Sequence, residues 1–230
     1  VRINTGSYVP LYGSEDKLPV KVDAFLLDVY PVTNYDYLNF VKNYPEYGKS
    51  KIKRIFANTS YLSDWSNDLN FGKLKPNGPV TNVSWFAAKK YCECQGKRLA
   101  TMDEWEYVAM ADEKRIDART KEQFNKYILA WYEKNQTYNN AIGQTYKNYW
   151  GVYDMHGLIW EWTYDFNSIF LSGESRKDKD TDTELFCGSA SINASDLMYY
   201  AAFMRFAFRG SLKASYTTKN LGFRCAKDVK

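Results

Sequence analysis

Tyr149-Trp150-Gly151-Val152-Tyr153-Asp154-Met155-His156-Gly157-Leu158-Ile159-Trp160-Glu161-Trp162 sets five Trp or Tyr side chains, two glycines and the chain's one histidine in fourteen residues. Gly151 and Gly157 read as turn positions, because glycine enters positive φ without a steric cost. Past Gly157 the pattern has period two: Trp160, Trp162 and Tyr164 face one way, and Ile159, Glu161 and Thr163 the other. This spacing predicts a central strand with large aromatics on one face and a carboxylate on the other. Its indole N–H groups then need buried acceptors as well as apolar neighbours.

The composition around this stretch narrows the class. At 230 residues the chain is long enough for a full core in one domain. Aromatics make up 17% of residues while the mean hydropathy is −0.55. That combination predicts loop-rich backbone held by large side chains rather than long aliphatic helices. The net charge of +4 is spread out, without the basic stripe that a nucleic-acid binder needs. No run of 18 apolar residues is present, so no membrane span is expected. The chain starts at Val1, which leaves room for a trimmed leader or lipid anchor. Four cysteines are too few for a disulfide scaffold, and Cys92-x-Cys94 is not a zinc spacing. One histidine excludes a multi-histidine metal site within a single chain.

Working outward, residues 1–30 read as strands and turns, with Val20 and Val22 alternating and Phe25-Leu26-Leu27 entering the core. A helix is predicted over Asn34–Asn43, with Thr33 as N-cap and Asp36 in the capping-box position. Residues 47–79 read as a long polar loop, and a second helix over Trp85–Gln95 follows the cap Ser84. Thr101 and Glu104 form another capping box, opening a third helix to about Ala111. Phe124, Tyr127, Ile128 and Trp131 recur at helical spacing, which predicts an amphipathic helix over about 121–134. Residues 172–183 are a solvated loop, and strands are expected in the segment from Phe186, near Tyr200–Phe208, and at Leu221–Ala226.

Several of these segments resemble, in order, the formylglycine-generating enzyme (sulfatase-modifying factor) family. Tyr149–Trp162 is similar to its G-L-Y-D-M-x-G-N-V-W-E-W segment, and Phe25–Asn34 to its F-x-I-D-x-x-E-V-T-N opening. Pro79–Trp85 is similar to P-V-x-x-V-S-W. Tyr91-Cys92, Gly96–Thr101 and Glu104–Tyr107 resemble Y-C-x-W-x-G-K-R-L-P-T-E-A-E-W-E-Y, and Asn220–Cys225 resembles N-x-G-F-R-C. The resemblance implies an α+β, single loop-rich domain over residues 1–230, low in regular secondary structure and related to the C-type-lectin fold.

The family's enzymes oxidise a client cysteine to formylglycine with oxygen and copper(I) held between two cysteines of the C-terminal segment. Thiolates are the soft ligands that copper(I) prefers. This chain departs there, since no cysteine lies between Gly188 and Arg224. The family's calcium ligation loses one ligand, because its amide position in G-N-x-W-E-W is Leu158. Copper and calcium are left as open alternatives, with family ligands missing from each. Glu161 remains, to hold an arginine or backbone groups in the core. His156 reads either as a turn residue hydrogen-bonded beside Gly157 or as a metal ligand. From the family's substrate cleft the resemblance carries over Ser189, Arg205, Arg209 and Asn220. The arginines either line a groove or satisfy buried carbonyls.

Three function classes follow. The first is an exported accessory or binding protein without formylglycine-generating activity, a pseudoenzyme whose C-terminal loop offers Asn193, Asp196, Tyr199 and Tyr200 to a protein or peptide partner, a metalloenzyme among them. The same residues also read as plain exposed loop. The second is a copper-linked oxidase or metalloenzyme maturation factor using Cys187, Met198 and Met204, with Cys94 near; methionines at such spacing also serve as core filling. The third is the authentic oxidase. The resemblance further implies a disulfide between Cys92 and Cys225, while the family's other bridge falls on Ala109 and Phe206 and is lost as a pair. Such a bridge implies an oxidising compartment, periplasmic or extracellular; four reduced thiols in a cytoplasmic protein are the alternative.

Overall fold

The two ends of the chain meet in one antiparallel sheet. The structure, a computed structural model, describes residues 1–12, 18–167 and 194–229. Strand β1 (Arg2–Ile3) pairs with β4 (Phe25–Leu27), β4 with the last strand β8 (Cys225–Asp228), and β8 with β5 (Arg98–Leu99). Register follows the pleat: Phe25 and Leu27 are buried while Leu26 between them is exposed. Strands β2 (Gly6–Tyr8) and β3 (Val20–Val22) form a separate antiparallel pair.

Local signals set the helices. Thr33 and Asp36 close a capping box on α1 (Asn34–Asn43), and Thr101 and Glu104 close one on α3 (Met102–Ala109). Ser84 caps α2 (Trp85–Cys94) by accepting from Ala87 N–H. The amphipathic α4 (Glu122–Tyr132) buries Phe124, Ile128 and Trp131. Residues 48–84 carry no helix and no named strand, and hold their course through buried Tyr61, Leu62 and Trp65.

Two expectations are corrected. The stretch Tyr200–Phe208 is not a strand but lies inside the long helix α5 (Ala194–Ser211). Its four aromatics favour strands, but its alanines, Met204 and Arg205 favour helix, and Ala201 packs into the cluster of Phe124 and Ile128 on α4. Asp196, Tyr199 and Tyr200 therefore stand on a helix, not on a loop. The strand expected after Gly157 is only β6 (Trp160–Glu161), paired in parallel with β7 (Leu221–Gly222) outside the main sheet. Its two faces are not split as the alternation suggested, because Ile159, Glu161, Trp162 and Thr163 are all buried. The strand expected from Phe186 lies outside the described residues.

The turn glycines behave as read: Gly151 has φ +82° and Gly157 φ +101°. Gly222 is required by close approach, since a Cβ there would meet the Val80 carbonyl oxygen at 2.4 Å. Trp162 Nε1 donates to Val83 O at 2.9 Å, the buried acceptor its indole needed.

A disulfide joins Cys92 of α2 to Cys225 of β8, with Cα atoms 5.6 Å apart. Next to it Arg224, 1% exposed, donates to both oxygens of Glu161 and to the carbonyls of Asp28, Val29 and Tyr153. Glu161 also accepts from Trp105 Nε1 at 2.8 Å. The carboxylate of the central stretch thus holds an arginine, tying four distant segments together.

Candidate functional site

Helix α3 carries two glutamates with opposite duties. Glu104 turns back to its cap and takes both Nη atoms of Arg98 at 2.7 Å. Glu106, two residues on, points to another face of the helix and meets α5. There Arg205 and Arg209, four residues apart, share one helical face. Arg205 donates from Nε to both Glu106 oxygens at 2.9 and 3.1 Å and from Nη2 at 2.8 Å. Its Nη1 reaches the Tyr132 hydroxyl and Ala201 O. Arg209 gives Glu106 one bond, from Nη1, at 2.6 Å, and its guanidinium lies 4.9 Å from the centre of the Trp105 ring.

The electrostatics are one-sided. Burial raises the pKa of Glu106, but the two guanidinium groups more than offset this and hold it at about 2. Burial and the nearby Glu106 charge push the Tyr8 phenol up, so it stays protonated; it donates to Asp103 Oδ1 at 2.6 Å. His156 is buried, donates from Nε2 to Ala109 O at 2.9 Å, and is ringed by Trp105, Phe124 and Trp131. Burial, and then the positive charge of Arg205, lowers its pKa to about 3. It sits buried beside Gly157 with that one ring hydrogen bond, and its Nδ1 faces no protein partner.

Above the Glu106–Arg205–Arg209 group opens a cavity of about 300 Å³. Tyr8, Leu11, Tyr12 and Phe206 supply much of its wall, with Asp103 and Arg119 as further polar groups. Arg119 is already occupied by Asp117 and by Val9 O. The described walls hold no cysteine and no histidine, and their one glutamate is engaged by two arginines. What they offer is a charged floor in an apolar recess, an arrangement for binding.

The carried-over site residues do not all converge. Arg205 and Arg209 reach the cavity, and neither serves mainly to satisfy carbonyls. Asn220 lies elsewhere: its side chain accepts from Thr218 Oγ1, and its carbonyl accepts from Trp160 N–H. On α5, Tyr200 is exposed, while Met198, Tyr199 and Met204 are half-buried. Met198 and Met204 are separated by about 9 Å along the helix axis and about 120° around it, so the helix does not converge their sulfurs on one ion. Cys94 carries a free, half-buried thiol beside the Tyr44 hydroxyl. Ser189, Asn193 and Cys187 lie outside the described residues, as does the side chain of Asp196. Among the described residues no group of three or more His, Cys, Asp or Glu side chains is arranged for a metal ion. Glu106, Tyr8 and Asp103 were not singled out from the sequence. The available signal was the Arg205/Arg209 spacing, which on a helix demands a facing carboxylate.

A sequence model described as "Sulfatase-modifying factor enzyme 1-like domain" matches residues 1–229. Curated relatives include the serine/threonine-protein kinase Pkn1 of Chlamydia trachomatis serovar L2, 27% identical over 95% of this chain and 36% of that protein. The formylglycine-generating enzyme of Bos taurus is 26% identical over 91% of this chain and 67% of its own length. The inactive C-alpha-formylglycine-generating enzyme 2 of Bos taurus is 27% identical over 90% and 78%. The chain thus spans about a third of the kinase-named relative and more of the others. Among solved structures, PvdO from Pseudomonas aeruginosa matches with a TM-score of 0.57 at 17% identity, over 100% of this chain and 94% of that one, a likeness of fold.

Proposed function

The chain belongs to the sulfatase-modifying factor enzyme 1-like family, and within it we propose an exported accessory or binding member that does not generate formylglycine. One observation carries this reading. The segment where the family places its copper-binding thiols has no cysteine between Gly188 and Arg224, while the cavity lined by Arg205 and Arg209 is floored by an Arg–Glu–Arg group in which one glutamate is shared by two arginines. Without the thiol pair the chain lacks the two-cysteine copper site and the reactive sulfur of the family's enzymes. Glu106 does not replace them as a base, because its two arginine partners keep it ionised and engaged. That inactive members exist among the relatives agrees with this reading. The Cys92–Cys225 bridge supports an oxidising compartment, periplasmic or extracellular. The partner on this reading is a protein or peptide rather than nucleic acid, and among the described residues no helix is long and apolar enough to cross a membrane.

The competing copper-linked role is separated by titrating the protein with copper(I) against bicinchoninate, alongside a count of free thiols. The chain is expected to leave copper(I) on the chelator. Stoichiometric capture of copper(I), lost when Cys187 is replaced by serine, would overturn the binding reading in favour of a metal role.

A further inference from the structure

We propose that the Glu106–Arg205–Arg209 cavity binds small organic acids with an aromatic or branched apolar body, the carboxylate seated on Arg209. The inference rests on reading this cavity as a binding site and adds the chemistry of its ligand. The charge balance comes first. Glu106 is one carboxylate between two guanidinium groups, so one positive charge on the floor is not neutralised within the group. Arg119 is paired with Asp117, and Asp103, which accepts the neutral Tyr8 hydroxyl, keeps its own negative charge on the wall away from the fork.

Hydrogen bonding then selects which arginine is open. Arg205 uses Nε, Nη1 and Nη2 on Glu106, Tyr132 and Ala201. Arg209 makes a single hydrogen bond among the described residues, although only 6% of it is exposed and it lines the cavity. Its remaining N–H groups are not sealed off but open on the cavity, where a ligand's acceptors can replace water. Its planar fork matches a carboxylate with two parallel bonds. The Trp105 ring covers one face of that guanidinium, so the approach left to a ligand is in the plane of the fork.

The walls select the rest of the molecule. Tyr8, Leu11, Tyr12 and Phe206 are aromatic or aliphatic, and Tyr12 and Phe206 have ring centres 5.5 Å apart. At about 300 Å³ the space lies at the small end of ligand pockets. A bare anion would leave these walls unfilled, and an ammonium group has no acceptor to offer the Arg209 N–H groups.

The test uses the purified chain and three probes by isothermal titration: phenylacetate, 2-phenylethylamine and inorganic phosphate. Phenylacetate is expected to bind saturably, at least tenfold more tightly than either of the others. Arg209→Gln is expected to weaken it at least tenfold. Should that variant not fold, Phe206→Ala, outside the ion-pair group, is expected to weaken phenylacetate at least threefold with phosphate unchanged. The proposal is overturned by absence of saturable phenylacetate binding, by equal binding of the amine or of phosphate, or by folded variants that bind as the parent does. Its failure is distinct from failure of the functional reading, which copper(I) capture decides independently of any carboxylate.

Discussion

Arg224 and Glu161 are each 1% exposed at the side chain, and between them they bond the Trp105 indole and the carbonyls of Asp28, Val29 and Tyr153. Removing one partner leaves an uncompensated buried charge, so Arg224→Met is expected to cost about 3–5 kcal/mol in urea unfolding. The double variant Glu161→Met/Arg224→Met is expected to recover part of that loss; a double variant as unstable as the sum of the singles would contradict the role given to the pair. His156 makes a second residue-scale prediction. Its folded pKa of about 3 lies below the ordinary 6.5, so below pH 6.5 the unfolded chain takes up a proton that the folded chain refuses. Stability is therefore complete above pH 6.5 and falls by about 1.4 kcal/mol per pH unit as pH decreases from there. No other histidine shares this window, and His156→Gln is expected to flatten the slope between pH 6.5 and 5. An unchanged slope in that variant would show that other groups carry it.

At the scale of elements, legibility followed distance along the chain. Thr33 with Asp36 and Thr101 with Glu104 announce helix starts within four residues, and α1 and α3 begin there. Helix α5 was misread because the signal that decides it is not local. Phe203, Phe206 and Phe208 favour a strand in isolation, whereas Ala201 against α4 and the Arg205/Arg209 pair against Glu106 favour a helix only once α3 and α4 are in place. Glu106 went unnoticed for the same reason, its partners lying 99 and 103 residues away. This placement predicts contrasting variants on adjacent residues. Ala201→Leu, 1% exposed at the α4 contact, is expected to cost about 1–3 kcal/mol by overpacking. Tyr200→Ala, 39% exposed, is expected to stay within about 0.5 kcal/mol of the parent in the same denaturation assay. The reverse order would place α5 with its other face toward the core.

For the whole molecule, the family frame persists although the C-terminal thiol pair is absent from the sequence. The last strand is pinned to α2 by Cys92–Cys225 across 133 residues, a closure that chain entropy values at about 4–5 kcal/mol. Labelling of the unfolded, unreduced chain should therefore find Cys92 and Cys225 protected. That bridge, the loop-rich α+β architecture and the departure from the thiol pair were legible because ordered motifs span the chain. The cavity was not, since it forms only where residues near positions 8, 106 and 205 converge. The most direct measurement is turnover of a C-x-P-x-R peptide with copper and oxygen, run beside an active family enzyme and read by aldehyde trapping. No aldehyde above the protein-free background is expected; cysteine-dependent aldehyde formation at a rate comparable to the active enzyme would contradict a member that does not generate formylglycine.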